Sequence, residues 1–214
     1  MFANRSALAF FPTFIWVHDL TEEDRAEVER TAVRLIDDML TPRPPLEGGA
    51  TKWQTPTDMQ SRPQFRRLNE LVLGAAAGIL DFLGVQDLPI EITGAWANVG
   101  PPGAAHHEHY HPNNFLAVVY YPRVPKGGDA IAFSDPRPQA HIIAPPWKTM
   151  NSQLASQVTV PVQAGRLVVF PAWLRHSVPP NRGEGERMSI AFNLMFADSL
   201  AKPRWSGKHG AGKG

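Results

Sequence analysis

The chain has 214 residues, 43% of them hydrophobic and 19% charged, with a formal net charge of +1. That length and apolar content suit one domain with a sizeable core and exclude wholesale disorder. The balanced charge gives no electrostatic reason to expect nucleic acid or an anionic membrane as partner. Cysteine is absent, which excludes disulfides, thiolate zinc sites and cysteine nucleophiles. Any metal must therefore be held by His, Asp or Glu.

No apolar run approaches the roughly 18 residues that a membrane span requires. The opening stretch MFANRSALAFFPTFIWVHDL has no clear small-residue cleavage site and reads as folded chain, so a cytoplasmic location is expected. Within it, Ala7 to Val17 is rich in Phe and Ile with Pro12 inside, which predicts an edge strand. Thr21 and Asp24 form a capping-box pattern, and Val28, Ala32, Leu35, Ile36 and Met39 follow at helical spacing. Residues 41–63 read as loop. Pro63 opens a second helix with Phe65, Leu68, Val72, Ala75, Ala76, Ile79 and Leu83 as its apolar stripe, and Gly84 ends it.

Beyond Asp87 the texture changes to short β-type runs between Gly and Pro turns. They are 90–99, 115–122, 130–135, 141–144, 157–162, 166–171 and 187–196. Strands at this spacing without intervening helices predict a sandwich, jelly roll or barrel rather than a parallel βαβ sheet. The expected layout is one domain over 1–200, with a helical part at about 20–84, a β core at about 89–197 and a flexible basic tail at 201–214. A strand-edge homodimer is compatible with this layout, but no feature demands it.

Four of the eight histidines, His106, His107, His109 and His111, fall in the single stretch GAAHHEHYHP. In extended chain, residues i and i+2 share a face about 6.6 Å apart, whereas i and i+4 lie about 13 Å apart. Metal–nitrogen bonds are only about 2 Å, so His107, His109 and His111 cannot all bind one ion if the segment stays extended. The candidate pairs are His109/His111, His107/His109 and, on the opposite face, His106/Glu108. Periodicity does not choose among them. His176, delivered from the end of the apolar strand in GRLVVFPAWLRH, is the best third ligand, while His141 in its own apolar run reads as structural and His18 and His209 as surface residues. Downstream, Arg187 and Ser189 share a strand face. An Arg fork with a nearby hydroxyl suits a carboxylate; the alternative is a rim Arg paired with Glu184 or Glu186.

Taken together, HYHP, the strand ending in YY, GGD before AIAFSDPR, GRLVVFPAWLRH and ERMSIAFN resemble the iron(II)- and 2-oxoglutarate-dependent oxygenases. More narrowly, they are similar to the 2OG-Fe(II) oxygenase family of bacterial and phage proteins. The resemblance covers roughly Ala95 to Phe196, with weaker echoes in the N-terminal strand and in TKWQT (51–55). It implies a double-stranded β-helix, a jelly roll open at one end with N-terminal helices outside it, and Fe(II) in its mouth. It also implies 2-oxoglutarate and dioxygen as cosubstrates, with a small molecule or peptide as substrate. Aligned on HYHP and YY, His109, His111 and His176 match the metal ligands. Arg187 and Ser189 match the pair that grips the far carboxylate of 2-oxoglutarate, and Tyr120, Asn98 and Asn193 lie near the same pocket. Trp96, Tyr110, Phe115, Trp147 and Trp173 are candidates for the mouth, and the Pro-rich stretch 136–156 for a lid or a spacer. The usual Asp is replaced by His111, which leaves the site one charge more positive. That departure admits two alternatives: a three-histidine cupin-like dioxygenase or isomerase that does not use 2-oxoglutarate, or a shifted register with Glu108 or His107 as ligand. A non-catalytic jelly-roll binding module is the third possibility.

Overall fold

The computed structural model describes residues 2–48, 51–85, 88–143, 146, 148–149 and 151–197. The tail 201–214 with His209, and Trp147, lie outside the described residues. In chain order the elements are β1 (Trp16–Asp19), α1 (Glu22–Val28), a π-helical turn (Glu29–Val33), α2 (Arg34–Met39), β2 (Trp53–Gln54) and α3 (Arg66–Phe82). The β elements β3 (Ile90–Gly100), β4 (His106–His109), β5 (Leu116–Arg123), β6 (Ala130–Ser134), β7 (Gln157–Pro161), β8 (Arg166–Pro171), β9 (His176–Val178) and β10 (Arg187–Phe196) follow.

Two antiparallel sheets face each other, the arrangement of a double-stranded β-helix. The larger runs β1-β8-β5-β10-β3-β2 and the smaller β4-β9-β6-β7. Two cores result from the strand period of two. On the outer face of the large sheet, Val118, Tyr120, Leu167, Val169, Met188, Ile190 and Phe192 pack against Val28, Ala32, Ile36, Leu68, Val72 and Ile79 of the helices. On the inner face, Ala117, Tyr121, Val168 and Phe170 meet Ile131 and Phe133 of the small sheet.

The first helix starts as the sequence predicts. The Asp24 amide donates to Thr21 Oγ1 at 3.2 Å, and Thr21 Oγ1 donates to Asp24 Oδ2 at 3.0 Å. Gly84 follows α3 at φ +64°, the left-handed conformation that closes a helix at low cost for glycine. Three expectations are corrected. The strand predicted from Ala7 to Val17 is confined to Trp16–Asp19, the stretch that pairs with β8; Phe10 and Phe11 before it are exposed, and Phe11 sits at φ +55°. The run 141–144 is not a strand where it is described: a 3-10 turn spans Pro138–His141. The loop 41–63 contributes a strand, β2, which pairs with β3 through Trp53↔Val99 and Gln54↔Asn98. The large sheet thus takes one strand, β2, from the part expected to be helical. Among the described residues no helix is long and apolar enough to cross a membrane.

An ion network ties α2 to the sheet. Asp37 accepts from Arg123 at 2.9 and 2.6 Å and from Arg43 at 3.3 Å. Burial opposes its charge, but the Arg123 and Arg43 bonds outweigh burial and hold the carboxyl below its ordinary range. A carboxyl with a depressed folded pKa stabilises the fold above the unfolded value, near about 3.9, and loses that contribution as pH falls through the folded value. Asp37→Asn is therefore expected to lower the urea midpoint at neutral pH by about 1 kcal/mol of stability. The gap to wild type should close below about pH 4.

Candidate metal centre

The histidine stretch does not stay regularly extended. Strand β4 pairs with β9 through His106↔Val178 and His109↔His176, so one extra residue on β4 is accommodated by a bulge between them. The bulge turns His106 and His109 to the same side, with ring centroids 4.3 Å apart. His107 and Glu108 are exposed. Beyond the strand, the His111 amide donates to the Ala172 carbonyl at 2.8 Å, which folds residue 111 back over the mouth.

The result is a cluster of His109, His111 and His176, one ring nitrogen from each lying within 4.8 Å of the others. His176 is buried beneath Phe170 and Phe133, and the other two rings are half-buried. His109 Nδ1 lies 2.8 Å from the His107 carbonyl and His176 Nδ1 lies 3.0 Å from the Leu174 carbonyl. A carbonyl only accepts, so each Nδ1 carries the proton and each Nε2 keeps its lone pair. This is the orientation in which imidazole binds a metal. Burial, above all, lowers His111 and His176 to about 4, so both rings are neutral near pH 7. The donor set fits a borderline divalent cation such as iron(II).

The shifted register is not what the fold adopts. Glu108 Oε2 accepts from Ser134 Oγ, and Glu108 Oε1 pairs with Arg175 at 3.3 Å. The Ser134 bond, foremost, holds Glu108 below the usual carboxylate range.

The imidazoles open into a cavity. Arg187, Ser189 and Ala191 of β10 line it, with Asn98 and Trp96 of β3 and Tyr121 of β5. Arg187 is buried, and its guanidinium donates only to carbonyls: Gly128 at 3.3 Å, Pro179 at 3.2 Å and Ala104 at 3.3 Å. Among the described residues no carboxylate pairs with it. Of the two partners in the rim alternative, Glu184 and Glu186, the second bonds Arg43 instead. A guanidinium does not discharge, so this is a buried cation facing a cavity. Of the buried side-chain polar atoms that lack a hydrogen-bond partner among the described residues, Asn98 Oδ1 and the Tyr121 hydroxyl belong to residues lining the cavity. Such orphans mark a place made for a polar ligand, and they fit a keto acid lying between the histidines and Arg187.

Two residues expected near the pocket, Asn193 and Tyr120, are not among its lining residues. Tyr120 does not reach the cavity: it packs among the helices, and burial raises its hydroxyl to about 12. Its neighbour Tyr121 points inward, where burial likewise pushes its hydroxyl up. Of the aromatics, Trp96 lines the cavity, Phe115 packs against Phe196, and Tyr110 and Trp173 are half-exposed. Lys52, in the TKWQT stretch before β3, also lines the cavity.

Residues 94–193 match the family model described as "Putative 2OG-Fe(II) oxygenase". No curated protein matches the chain significantly. Among solved structures, the non-haem α-ketoglutarate-dependent epimerase SnoN from nogalamycin biosynthesis is 17% identical with a TM-score of 0.62, the match covering 86% of this chain and 77% of that one. A prolyl hydroxylase from Trichoplax adhaerens is 13% identical with a TM-score of 0.58, covering 87% and 86%. A Pseudomonas putida prolyl-4-hydroxylase is 16% identical with a TM-score of 0.55, covering 86% and 93%. At these identities the solved structures share the fold. The family match spans the strands that carry the three histidines, Arg187 and Ser189, so over residues 94–193 the chain is similar to the 2OG-Fe(II) oxygenases, and it shares the fold of the solved structures.

Proposed function

We propose that the protein is a non-haem iron(II)- and 2-oxoglutarate-dependent oxygenase that hydroxylates its substrate, with His109, His111 and His176 as the metal ligands. The observation that carries this reading is the convergence of three ring nitrogens within 4.8 Å, from two segments far apart in the chain. Bound iron(II) supplies dioxygen activation coupled to decarboxylation of 2-oxoglutarate. The chain's own residues bind, orient and exclude water. The His107 and Leu174 carbonyls fix the two rings that donate to them. Arg187 and Ser189 receive the distal carboxylate, and Asn98 and Tyr121 stand beside it with unpaired polar atoms. Val119, Ile131 and Val178 give the cavity apolar walls, which keep water from competing for the reactive centre.

Anaerobic addition of iron(II) and then 2-oxoglutarate tests the reading. A weak visible charge-transfer band, absent with iron(II) alone, reports bidentate keto-acid binding. No band at saturating keto acid would sink it. A second reading rests on His111: three neutral imidazoles in place of two and a carboxylate also suit a dioxygenase that takes its substrate directly on the metal. That enzyme has no use for Arg187.

The Tyr121 hydroxyl gives a prediction of unusual sign. Removing an unsatisfied buried hydroxyl costs the ligand-free protein nothing and relieves a desolvation penalty. Tyr121→Phe is therefore expected to match or exceed wild type in melting temperature without ligand. It should bind 2-oxoglutarate more weakly by about 1 kcal/mol, several-fold in Kd by titration. A variant that melts lower and binds equally would show that the hydroxyl serves the fold instead.

A further inference from the structure

Lys52 belongs to the cavity but to no part of the chemistry above. It lies in the segment 51–55, whose backbone is held on both sides. Thr51 Oγ1 donates to the Ala105 carbonyl at 3.1 Å, and Trp53 pairs with Val99 and donates through its indole to the Pro44 carbonyl at 2.8 Å. Continuing the β2–β3 register by one residue sets Lys52 beside Gly100, and Gly100 pairs on its other side with Arg187. Gly100 has no side chain to stand between them; a Cβ there would come within 2.8 Å of the Ala104 Cβ. Two cations thus approach one space across a bare position. Burial first, and then the Arg187 charge, press the Lys52 ammonium below the ordinary lysine range.

The charges do not cancel. Among the described residues the cavity is lined by Lys52, Arg187 and four histidines, and by no Asp or Glu. Among the described residues neither Lys52 nor Arg187 has a carboxylate partner. Imidazole ligands bring no negative charge, so a bound dication would add two more charges that no lining carboxylate offsets. The two carboxylates of 2-oxoglutarate would leave the site cationic.

Resting on the proposed function, we propose that Lys52 is a second anion anchor in the cavity, holding a carboxylate that Arg187 alone does not neutralise. That carboxylate is either the distal group of 2-oxoglutarate, gripped by both cations, or an acidic group of the substrate. Lys52→Met and Lys52→Arg in the manganese(II)-loaded protein separate the two sources by calorimetric titration. In the first arm, 2-oxoglutarate is compared with 2-oxopentanoate, which has a methyl group in place of the distal carboxylate. If the cosubstrate is the source, Lys52→Met weakens 2-oxoglutarate by about 10- to 100-fold and leaves 2-oxopentanoate unchanged. In the second arm, acetate is titrated into protein saturated with 2-oxoglutarate. If the substrate is the source, acetate binds the wild type and is weakened to the same degree by Lys52→Met. Lys52→Arg keeps binding in whichever arm responds. Lys52→Met equal to wild type in both arms overturns the assignment. So does a loss of manganese(II) and 2-oxopentanoate affinity as large as that of 2-oxoglutarate, since the lesion is then structural. A wild type that does not prefer 2-oxoglutarate to 2-oxopentanoate overturns the proposed function instead, and acetate binding to the metal-loaded protein still reads Lys52 on its own.

Discussion

His176→Ala is expected to end stoichiometric iron(II) binding and, with it, turnover. Even a lost outer partner of a metal-bound imidazole costs 10- to 100-fold in affinity, so a lost ligand is expected to cost on the order of 100-fold or more. The substitution also has a structural cost. His176 is 3% exposed and packs on Phe170 with ring centroids 4.6 Å apart. Removing the ring leaves a void and destabilises the metal-free protein by about 1–3 kcal/mol. The two effects separate in one pair of measurements. Metal content after reconstitution reports the ligand, and the melting temperature without metal reports the packing. Wild-type protein should melt higher with manganese(II) than without it, and His176→Ala should melt at the same temperature in both. Retained metal in the variant would remove His176 from the centre.

Arg187→Met is expected to weaken 2-oxoglutarate by about 30- to several thousand-fold, the range for truncating one partner of a buried, hydrogen-bonded charge pair. Metal affinity should not move, because Arg187 donates to the Gly128, Pro179 and Ala104 carbonyls and to none of the three histidines. The Gly128 and Pro179 carbonyls lose this donor, while Ala104 keeps the Asn181 amide at 2.8 Å, so the ligand-free variant should also lose about 1–3 kcal/mol of stability. The discriminating observation is the ratio of keto-acid affinity to metal affinity. If Arg187→Met binds 2-oxoglutarate as tightly as wild type, the enzyme that works without the keto acid becomes the better account of the cavity.

The strands of the roll are legible in the sequence because each carries its own β-branched and aromatic run between turn residues. Their facing is legible only where the two faces differ in polarity. Arg187 and Ser189 alternate with Met188 and Ile190, so the strand itself shows which residues turn inward. The LAVVYYPR strand is apolar on both faces, and its alternation says nothing. Its parity comes from the pairing Tyr120↔Ile190, which puts Tyr120 on the helix side and Tyr121 in the cavity. A landmark of two adjacent tyrosines leaves that one-residue choice open, and one residue reverses the face.

The same limit explains His106. A strict period of two places it opposite His109, and only the bulge brings them together. Lys52 was hidden for another reason. TKWQT is too short to read as a strand, and its neighbours on β3 and β10 lie far away in the chain. The run 141–144 shows the converse error: its residue types favour a strand, but the chain makes a 3-10 turn at Pro138–His141. The three metal-facing histidines were recoverable because a cluster of one residue type, a Pro after it and a distant His on an apolar strand are each local signals.

The bulge in β4 divides a run of similar residues into two kinds of position. His106, His109 and His111 belong to the interior, and His107 lends only its main-chain oxygen, so its side chain is free to drift among relatives while its neighbours are held. Dropping a single residue between 106 and 109 would remove the bulge and set His106 and His109 two positions apart in regular pairing with Val178 and His176, still on one face.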